Sequence, residues 1–482
     1  MEVQARYGHF IGGDWLQPAA GDYLESRSPH DDSLVTHIAA GSAPDVDAAV
    51  AAAQDARRAW GEMRPLARGR HLTRLAQLVR EHIETLAMVE STEMGMPGDL
   101  ARMLITGVAE YLEYYGGLAT SLQGEQIPLG PNHHVYTIHE PYGVVGVITP
   151  WNAPLNQAAR DCAPALAVGN CVIHKPSEHS SVTALMMAQL AIEAGVPAGV
   201  YNVVTGLGPE VGSPLVAHPQ VAKIAFTGSV PTGIAIARRA AEKIMPVTLE
   251  LGGKSPDIIF DDADLGTAVQ GAIAGFVLNS GQVCSAGTRV LVQRTIHDQV
   301  AEQMAAAMPR LRMGRDATFP CLGPVANRDQ YDRVLGYFEV AKHDGARLLT
   351  GGARSADAAL ADGFYIQPTL YGDVGNDMRI AREEIFGPVG VLIPFEDEEQ
   401  AIAIANDSEF GLVAGLWTEN LARAHRVAAR LQAGQVFVNH YGVSPIEAPF
   451  GGYKRSGIGR EKGISALKQN TQIKSVTIKL GG

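Results

Sequence analysis

One cysteine stands apart from the other three by its neighbours. In Gly281-Gln282-Val283-Cys284-Ser285-Ala286-Gly287 the thiol lies among small residues, where a substrate can approach closely. A nucleophilic cysteine needs surroundings that favour the thiolate and a base within reach. Glu250 is a candidate base: it ends an apolar stretch, Thr248-Leu249-Glu250-Leu251-Gly252-Gly253, where burial would raise its proton affinity. The same glutamate reads equally well as a helix cap or a salt-bridge partner. Asn152, in Thr149-Pro150-Trp151-Asn152, follows another apolar run. Its amide could donate to an oxyanion, or close a turn on its own backbone.

Two segments carry the chemistry of a nucleotide site. Phe226-Thr227-Gly228-Ser229-Val230-Pro231-Thr232-Gly233 follows a strand-like run and opens a helix. Gly228 permits close backbone approach, and the helix N-terminus offers N–H groups and a positive dipole to a pyrophosphate. An ordinary strand–turn–helix with Ser229 as its cap has the same appearance. Lys175-Pro176-Ser177-Glu178 follows a neighbouring strand, where Lys175 and Glu178 could clamp the hydroxyls of an adenosine ribose or simply face solvent. The run from Gly206 to Gly212 has its last glycine one place too far for GxGxxG and is weak evidence alone.

The elements needed to position these residues are legible in the apolar pattern. Residues 46–60 and 67–89 have helical spacing, and 92–122 continues it after a break at Pro97. From residue 142 the texture becomes strand–helix alternation, with strands expected at 143–149, 171–175, 200–204, 222–226 and 246–251. Helices are expected between them at 157–167, 181–194, 210–218 and 233–243. That alternation predicts an α/β fold with a Rossmann-like parallel sheet, which binds ligands at the carboxyl ends of its strands. A second α/β region begins near 251, with helices at 265–280 and 421–431 and strands at 289–293 and 389–394. Two isolated strand-like pieces, at 132–140 and 472–480, could pair with each other or with a second subunit, as a small β oligomerisation flap.

The bulk numbers bound the function. A chain of 482 residues exceeds one hydrophobic core, so several domains are expected. A net charge of −12 without a basic run argues against nucleic acid. The apolar runs are far too short for a membrane span. Four cysteines without metal-ligand spacing, and no signal-like N-terminus, lead us to expect no metal and a reducing cytoplasm. Cys162, Cys171 and Cys321 read as small buried hydrophobes.

Taken in order, the motifs resemble the aldehyde dehydrogenase superfamily over essentially the whole length. They are Pro150-Trp151-Asn152, Ala163 to Asn170, Lys175-Pro176-Ser177-Glu178, Phe226-Thr227-Gly228-Ser229, Leu249 to Lys254, Gly281-Gln282-Val283-Cys284, Glu383-Glu384-Ile385-Phe386-Gly387-Pro388, and Pro449-Phe450-Gly451-Gly452-Tyr453-Lys454. The resemblance implies an NAD-dependent enzyme of the hydrolytic type. Cys284 would be nucleophile, Glu250 base, and Asn152 with the Cys284 N–H the oxyanion site. Lys175 and Glu178 would hold the adenosine ribose, Ser229 the pyrophosphate, and Glu384 the nicotinamide ribose. Phe386, Trp151, Gly228 and Leu251 complete the expected cofactor set.

A carboxylate at the adenosine ribose favours NAD over NADP, which Lys175 would still tolerate as a secondary cofactor. Relatives that acylate coenzyme A often lack a glutamate at the position of Glu250, so hydrolysis is expected here. The expected substrate pocket comprises Ala153, Gln157, Arg160, Ser285 and Phe450. Arg160 is read as gripping a distal carboxylate, as in members that oxidise semialdehydes, although an aromatic aldehyde also fits. Asp161 departs from the family, where a lysine is common. Tyr441, Ile446 and Glu447 are expected at the pocket mouth. The implied organisation is a cofactor domain at 1–122 and 142–250, a catalytic domain at 251–454, and oligomerisation strands at 123–141 and 468–482. A homodimer or homotetramer is expected.

Overall fold

The computed structural model describes residues 2–315, 321–442 and 444–481. Helices Ala43–Glu62, Pro65–Glu81, Ile83–Met94 and Gly98–Leu118 form the N-terminal layer. The long helical stretch expected at 67–89 is broken at His82, whose φ of −114° leaves the helical region. Ser42 and Asp45 start the first helix with a reciprocal capping box, which satisfies two N–H groups that the helix itself cannot.

All five expected strands of the first α/β unit are present. They run Val247–Glu250, Lys223–Thr227, Val144–Ile148, Cys171–Lys175 and Tyr201–Val203, mutually parallel. Short antiparallel strands, Gly457–Ile458 on one side and His9–Ile11 with Asp14–Leu16 on the other, extend the sheet to eight. Helices Pro154–Ala167, Val182–Glu193 and Val230–Ala241 connect them, so Asn152, Lys175, Thr227 and Glu250 all fall at carboxyl ends of parallel strands. The helix expected at 210–218 begins as a wider turn, Gly208–Gly212, before Ser213–Ala217.

The second unit holds a seven-stranded sheet, in order Arg347–Thr350, Thr369–Gly372, Val389–Phe395, Arg289–Gln293, Pro256–Ile259, Val413–Trp417 and Gln435–Val438. Successive residues of its strands face opposite ways. Ile258 and Leu291 enter one apolar cluster, and Ile259 and Val290 enter the other. The sequence pattern marked only two of these strands.

The flap is a three-stranded antiparallel sheet. Thr471–Lys479 pairs along its whole length with His133–Pro141, from Thr471 opposite Pro141 to Lys479 opposite His133. The two isolated strand-like pieces therefore pair with each other within one chain. The last residue of the expected flap range, Gly482, lies outside the described residues. Among the described residues, no helix is long and apolar enough to cross a membrane, and no cluster of His, Cys, Asp or Glu is arranged to hold a metal.

Candidate active site

Helix Leu265–Val277 ends in a tight turn, Leu278–Gly281, that carries the chain to Cys284. Asn279, Ser280 and Gly281 all have positive φ, at 50°, 55° and 73°. Such a run is strained at the two non-glycine positions, by roughly 1–3 kcal/mol each, and must be held from outside. The Asn279 amide donates to the Asn152 carbonyl at 2.8 Å, and the Ser280 hydroxyl to the Gly323 carbonyl at 2.7 Å. Gly281 is required twice over: its φ is left-handed, and a Cβ there would sit 2.0 Å from the Gly387 carbonyl oxygen.

Beyond the turn, the Asn152 side chain donates to the Gln282 carbonyl at 2.9 Å. One amide hydrogen is used there, and a second remains on the same nitrogen. The Tyr441 hydroxyl holds the far side, donating to the Ser285 carbonyl at 2.8 Å. Its ring occupies the space where a Cβ on Gly287 would come within 2.8 Å. Tyr441 thus braces the cysteine loop and does not line the 160 Å³ cavity. Of the other two residues expected at the pocket mouth, Ile446 packs against the first core and Glu447 is exposed.

Cys284 is half-buried, whereas Cys162, Cys171 and Cys321 are buried. Burial pushes the Cys284 thiol up to about 12; Arg160 opposes that rise, and Glu250, Glu384 and Glu461 add to it. Glu250 ends strand Val247–Glu250 and is buried, with neither carboxylate oxygen hydrogen-bonded among the described residues. Burial, and then Glu461, hold its carboxyl well above the usual range. A weak acid of this kind is a strong base once ionised.

Cys284, Glu250 and Asn152 line one cavity of about 160 Å³. Trp151, Gly228, Ser229, Leu251, Glu384 and Phe386 line it too, as does Gln157. Trp151 and Phe386 meet edge to face at 5.4 Å. Glu384 accepts from the Gly253 N–H at 3.0 Å, and burial raises its carboxyl to about 7. Gln330 and Arg333 also line the cavity, and sequence reading missed both. They lie on a solvated-looking helix, Arg328–Asp344, and turn inward by donating to the carbonyls of Ile385, Phe386 and Glu384.

A groove of about 840 Å³ opens beside Ile148, between Gly208–Ala217 and the helix Val230–Ala241. The two glycine-containing segments singled out in the sequence form its opposite walls. Ser229 caps that helix, accepting from the Thr232 N–H at 3.3 Å. Lys175 and Glu178 pair at 3.2 Å at the end of a neighbouring strand. Burial opposes charge on Glu178, but Lys175, a backbone hydrogen bond and His179 together outweigh it and hold the carboxyl below its ordinary range. The cavity and groove together are large enough for a dinucleotide.

Arg160 departs from expectation. Its guanidinium is buried and paired with Glu461, and it lies 5.0 Å from the centre of the Phe450 ring. Glu461 already balances its charge in a dry site, although Nη2 keeps no hydrogen-bond partner among the described residues. Burial disfavours its charge, but Glu461, Tyr111, Asp161 and Glu250 together outweigh burial and raise its proton affinity. Asp161 joins the same buried group, close to Glu461, Arg160 and Lys223. Ala153, Ser285 and Phe450 do not line the 160 Å³ cavity. Phe450 packs with Leu412, Val413 and Phe437 in a small cluster against which Cys284 rests.

A thiol, a buried carboxyl and an amide donor around one cavity, at the ends of parallel strands, are equipped to add sulfur to a carbonyl. The sequence model of the Aldehyde dehydrogenase family matches residues 15–476. The structure superimposes on an aldehyde dehydrogenase from Bacillus cereus, solved as an NAD+ complex, with a TM-score of 0.97 and 41% identity. That match covers 99% of this chain and 98% of the other. It is likewise similar to a betaine aldehyde dehydrogenase from Staphylococcus aureus in complex with NAD+, with a TM-score of 0.97 and 35% identity, covering 99% and 95%. The chain belongs to the aldehyde dehydrogenase family.

Proposed function

We propose that the protein oxidises an aldehyde to its carboxylic acid with NAD, using Cys284 as the nucleophile. The observation that carries this reading is the convergence of Cys284, Glu250 and Asn152 on one cavity beside Ser229 and Glu384. Sulfur adds to the aldehyde carbon and forms a thiohemiacetal. The free amide hydrogen of Asn152 and the Cys284 N–H take the developing oxyanion; losing one such donor costs about 3–4 kcal/mol of barrier. Accepting the hydride released from that carbon is the chemistry NAD supplies when bound. Glu250 then takes a proton from water as it attacks the thioester, and Cys284 leaves as the thiolate that adds to the next aldehyde.

Ser229 at its helix N-terminus suits a pyrophosphate, and Glu384 suits a ribose hydroxyl. The ionised Glu178 carboxylate favours a 2′-hydroxyl over a 2′-phosphate, which supports NAD; Lys175 beside it leaves NADP as a secondary cofactor. The presence of Glu250 supports hydrolysis over transfer to coenzyme A. We assign residues 1–122 and 142–250 to cofactor binding, 251–454 to catalysis, and 123–141 with 468–482 to self-association. Four cysteines without metal-ligand spacing fit a reducing cytoplasm.

The substrate is a polar aldehyde. Gln157 is buried and lines the cavity with its Oε1 unpartnered, a poor surface for a purely aliphatic chain. The test is NADH formation across aldehydes with and without a distal polar group, using wild type and Cys284→Ala. Activity in wild type only is the expected result. Equal activity in the alanine variant, or none in wild type with NAD or NADP, removes Cys284 from this role.

A further inference from the structure

Beside Arg160 lies a second buried cation that no local motif marks. Lys462 is 7% exposed, and its Nζ lies 5.1 Å from the centre of the Phe450 ring. Arg160 lies 5.0 Å from the centre of that ring, so two cations bear on one aromatic side chain. Cys284 packs against the cluster to which Phe450 belongs.

The two cations differ in what holds them. Arg160 is neutralised by Glu461. Lys462 forms no ion pair among the described residues; its one hydrogen bond goes to the Ser444 carbonyl at 3.3 Å, the long end of the range. A buried ammonium with three donors and a single weak neutral acceptor is costly, and an anion arriving beside it would repay that cost. Burial, then Arg160, push the ammonium down to about 7, while Glu461, Cys284 and Glu250 act in the opposite sense. The backbone is committed as well. Lys462 has a φ of 59°, and the next residue, Gly463, donates its N–H to the Ile446 carbonyl at 2.8 Å, which fixes where the side chain starts.

We propose that Lys462 is the specificity-determining residue of this site and selects an aldehyde that carries a distal carboxylate. The proposal rests on the assignment of Cys284 as nucleophile and gives the carboxylate-reading role expected for Arg160 to a different side chain. The ammonium faces the Phe450 ring, and Cys284 rests on the cluster to which that ring belongs, so the substrate chain runs from the thiol along Phe450, beyond the 160 Å³ cavity. Arg160 keeps Glu461 in place and does not contact the substrate.

The experiment compares glutaric semialdehyde with its methyl ester, which keeps the chain and removes the charge. The readout is the ratio of kcat/KM for the two. In Lys462→Met this ratio falls by about 10- to 100-fold, the range for one charge-assisted hydrogen bond, and Lys462→Arg restores most of it. An unchanged ratio in Lys462→Met overturns the proposal, as does a wild-type ratio near one. Should Lys462→Met fail to fold, Lys462→Gln, which keeps a donor for Ser444 and loses the charge, carries the same expectation.

Calorimetric titration with glutarate separates this proposal from the dehydrogenase reading. Glutarate binding that is lost in the lysine variants supports the anion site even if wild type oxidises no aldehyde. Oxidation of both aldehydes at equal efficiency, with no glutarate binding, leaves the chemistry standing and removes Lys462 from it.

Discussion

Glu250 and Cys284 present the same difficulty at the scale of single residues: both are needed as anions, and burial disfavours both anions. A carboxyl held above its usual range ionises only as pH rises, so the rate of a step in which Glu250 is the base climbs with pH through that raised value. Turnover should therefore still be climbing well above the pH at which an ordinary glutamate finishes titrating. Glu250→Gln should lower steady-state turnover by roughly 10²- to 10⁴-fold, the range for general-base catalysis. It should also flatten the alkaline rise, while a first burst of NADH survives because the glutamine spares sulfur addition. Stopped-flow absorbance reads the burst, and a burst abolished along with turnover would move Glu250 from water activation to thiol activation.

Legibility at this scale depended on local pattern. Cys284, Glu250, Asn152 and Glu384 each sit in a short motif that can be recognised without knowing what it touches. Lys462 and Arg333 carry no such mark, because Gly459-Arg460-Glu461-Lys462-Gly463 and Arg328 to Arg333 read as solvated charge. What places them follows from long-range contacts, buried Lys462 against Phe450 and exposed Arg333 against the Glu384 carbonyl at the cavity rim. Arg160 was misread for a related reason. Its partner, Glu461, lies some three hundred residues away in the chain, and nothing around Arg160 announces it.

Among the elements, helix Ile83–Met94 orders the site from outside through two buried carboxyls. Glu90 Oε1 accepts from the Leu155 N–H at 2.8 Å, in the first turn of the helix that follows Asn152. Glu93 Oε2 accepts from the Val182 N–H at 3.2 Å, at the start of the next helix, and its Oε1 accepts from Ser26 at 2.8 Å. Each carboxyl thus supplies an acceptor that a helix N-terminus lacks. Neither was apparent from sequence, since an acid three residues from another on a helix usually faces water. The parallel strands of the first unit were apparent, because strand–helix alternation is local. Pro256–Ile259 and Val413–Trp417 were not, because a short apolar run buried on both faces has no period to read.

Burial raises Glu90 to about 7 and Glu93 to about 8. Both folded values exceed that of an unfolded glutamate, so the stabilisation is fully present below the unfolded value and is lost as pH rises through 7 and 8. The melting temperature should fall between about pH 4.5 and about pH 8. Glu93→Gln, which keeps a carbonyl acceptor and cannot ionise, should show a smaller fall. Scanning calorimetry at several pH values decides it, and parallel curves for the two proteins would exclude Glu93 as a source of the pH dependence.

For the whole molecule, the flap is the part whose construction one chain does not explain. Its C-terminal strand, Thr471–Lys479, is paired on one side only and forms the edge of a three-stranded sheet. Ile473 is 68% exposed and Ile478 42%, on a strand that contributes almost nothing to the core. An unpaired edge bearing exposed isoleucines is an aggregation hazard unless another chain covers it. Lys474, paired to Glu140, joins the two strands to each other and leaves the outer edge open. The self-association proposed above would account for a strand with so little packing of its own. Sedimentation of wild type at micromolar concentration should give a dimer or tetramer. Ile473→Lys with Ile478→Lys should shift it to a lighter species with a lower melting temperature and an unchanged far-ultraviolet spectrum. A monomeric wild type would sink the reading outright, and an oligomer indifferent to both lysines would place the interface on another face.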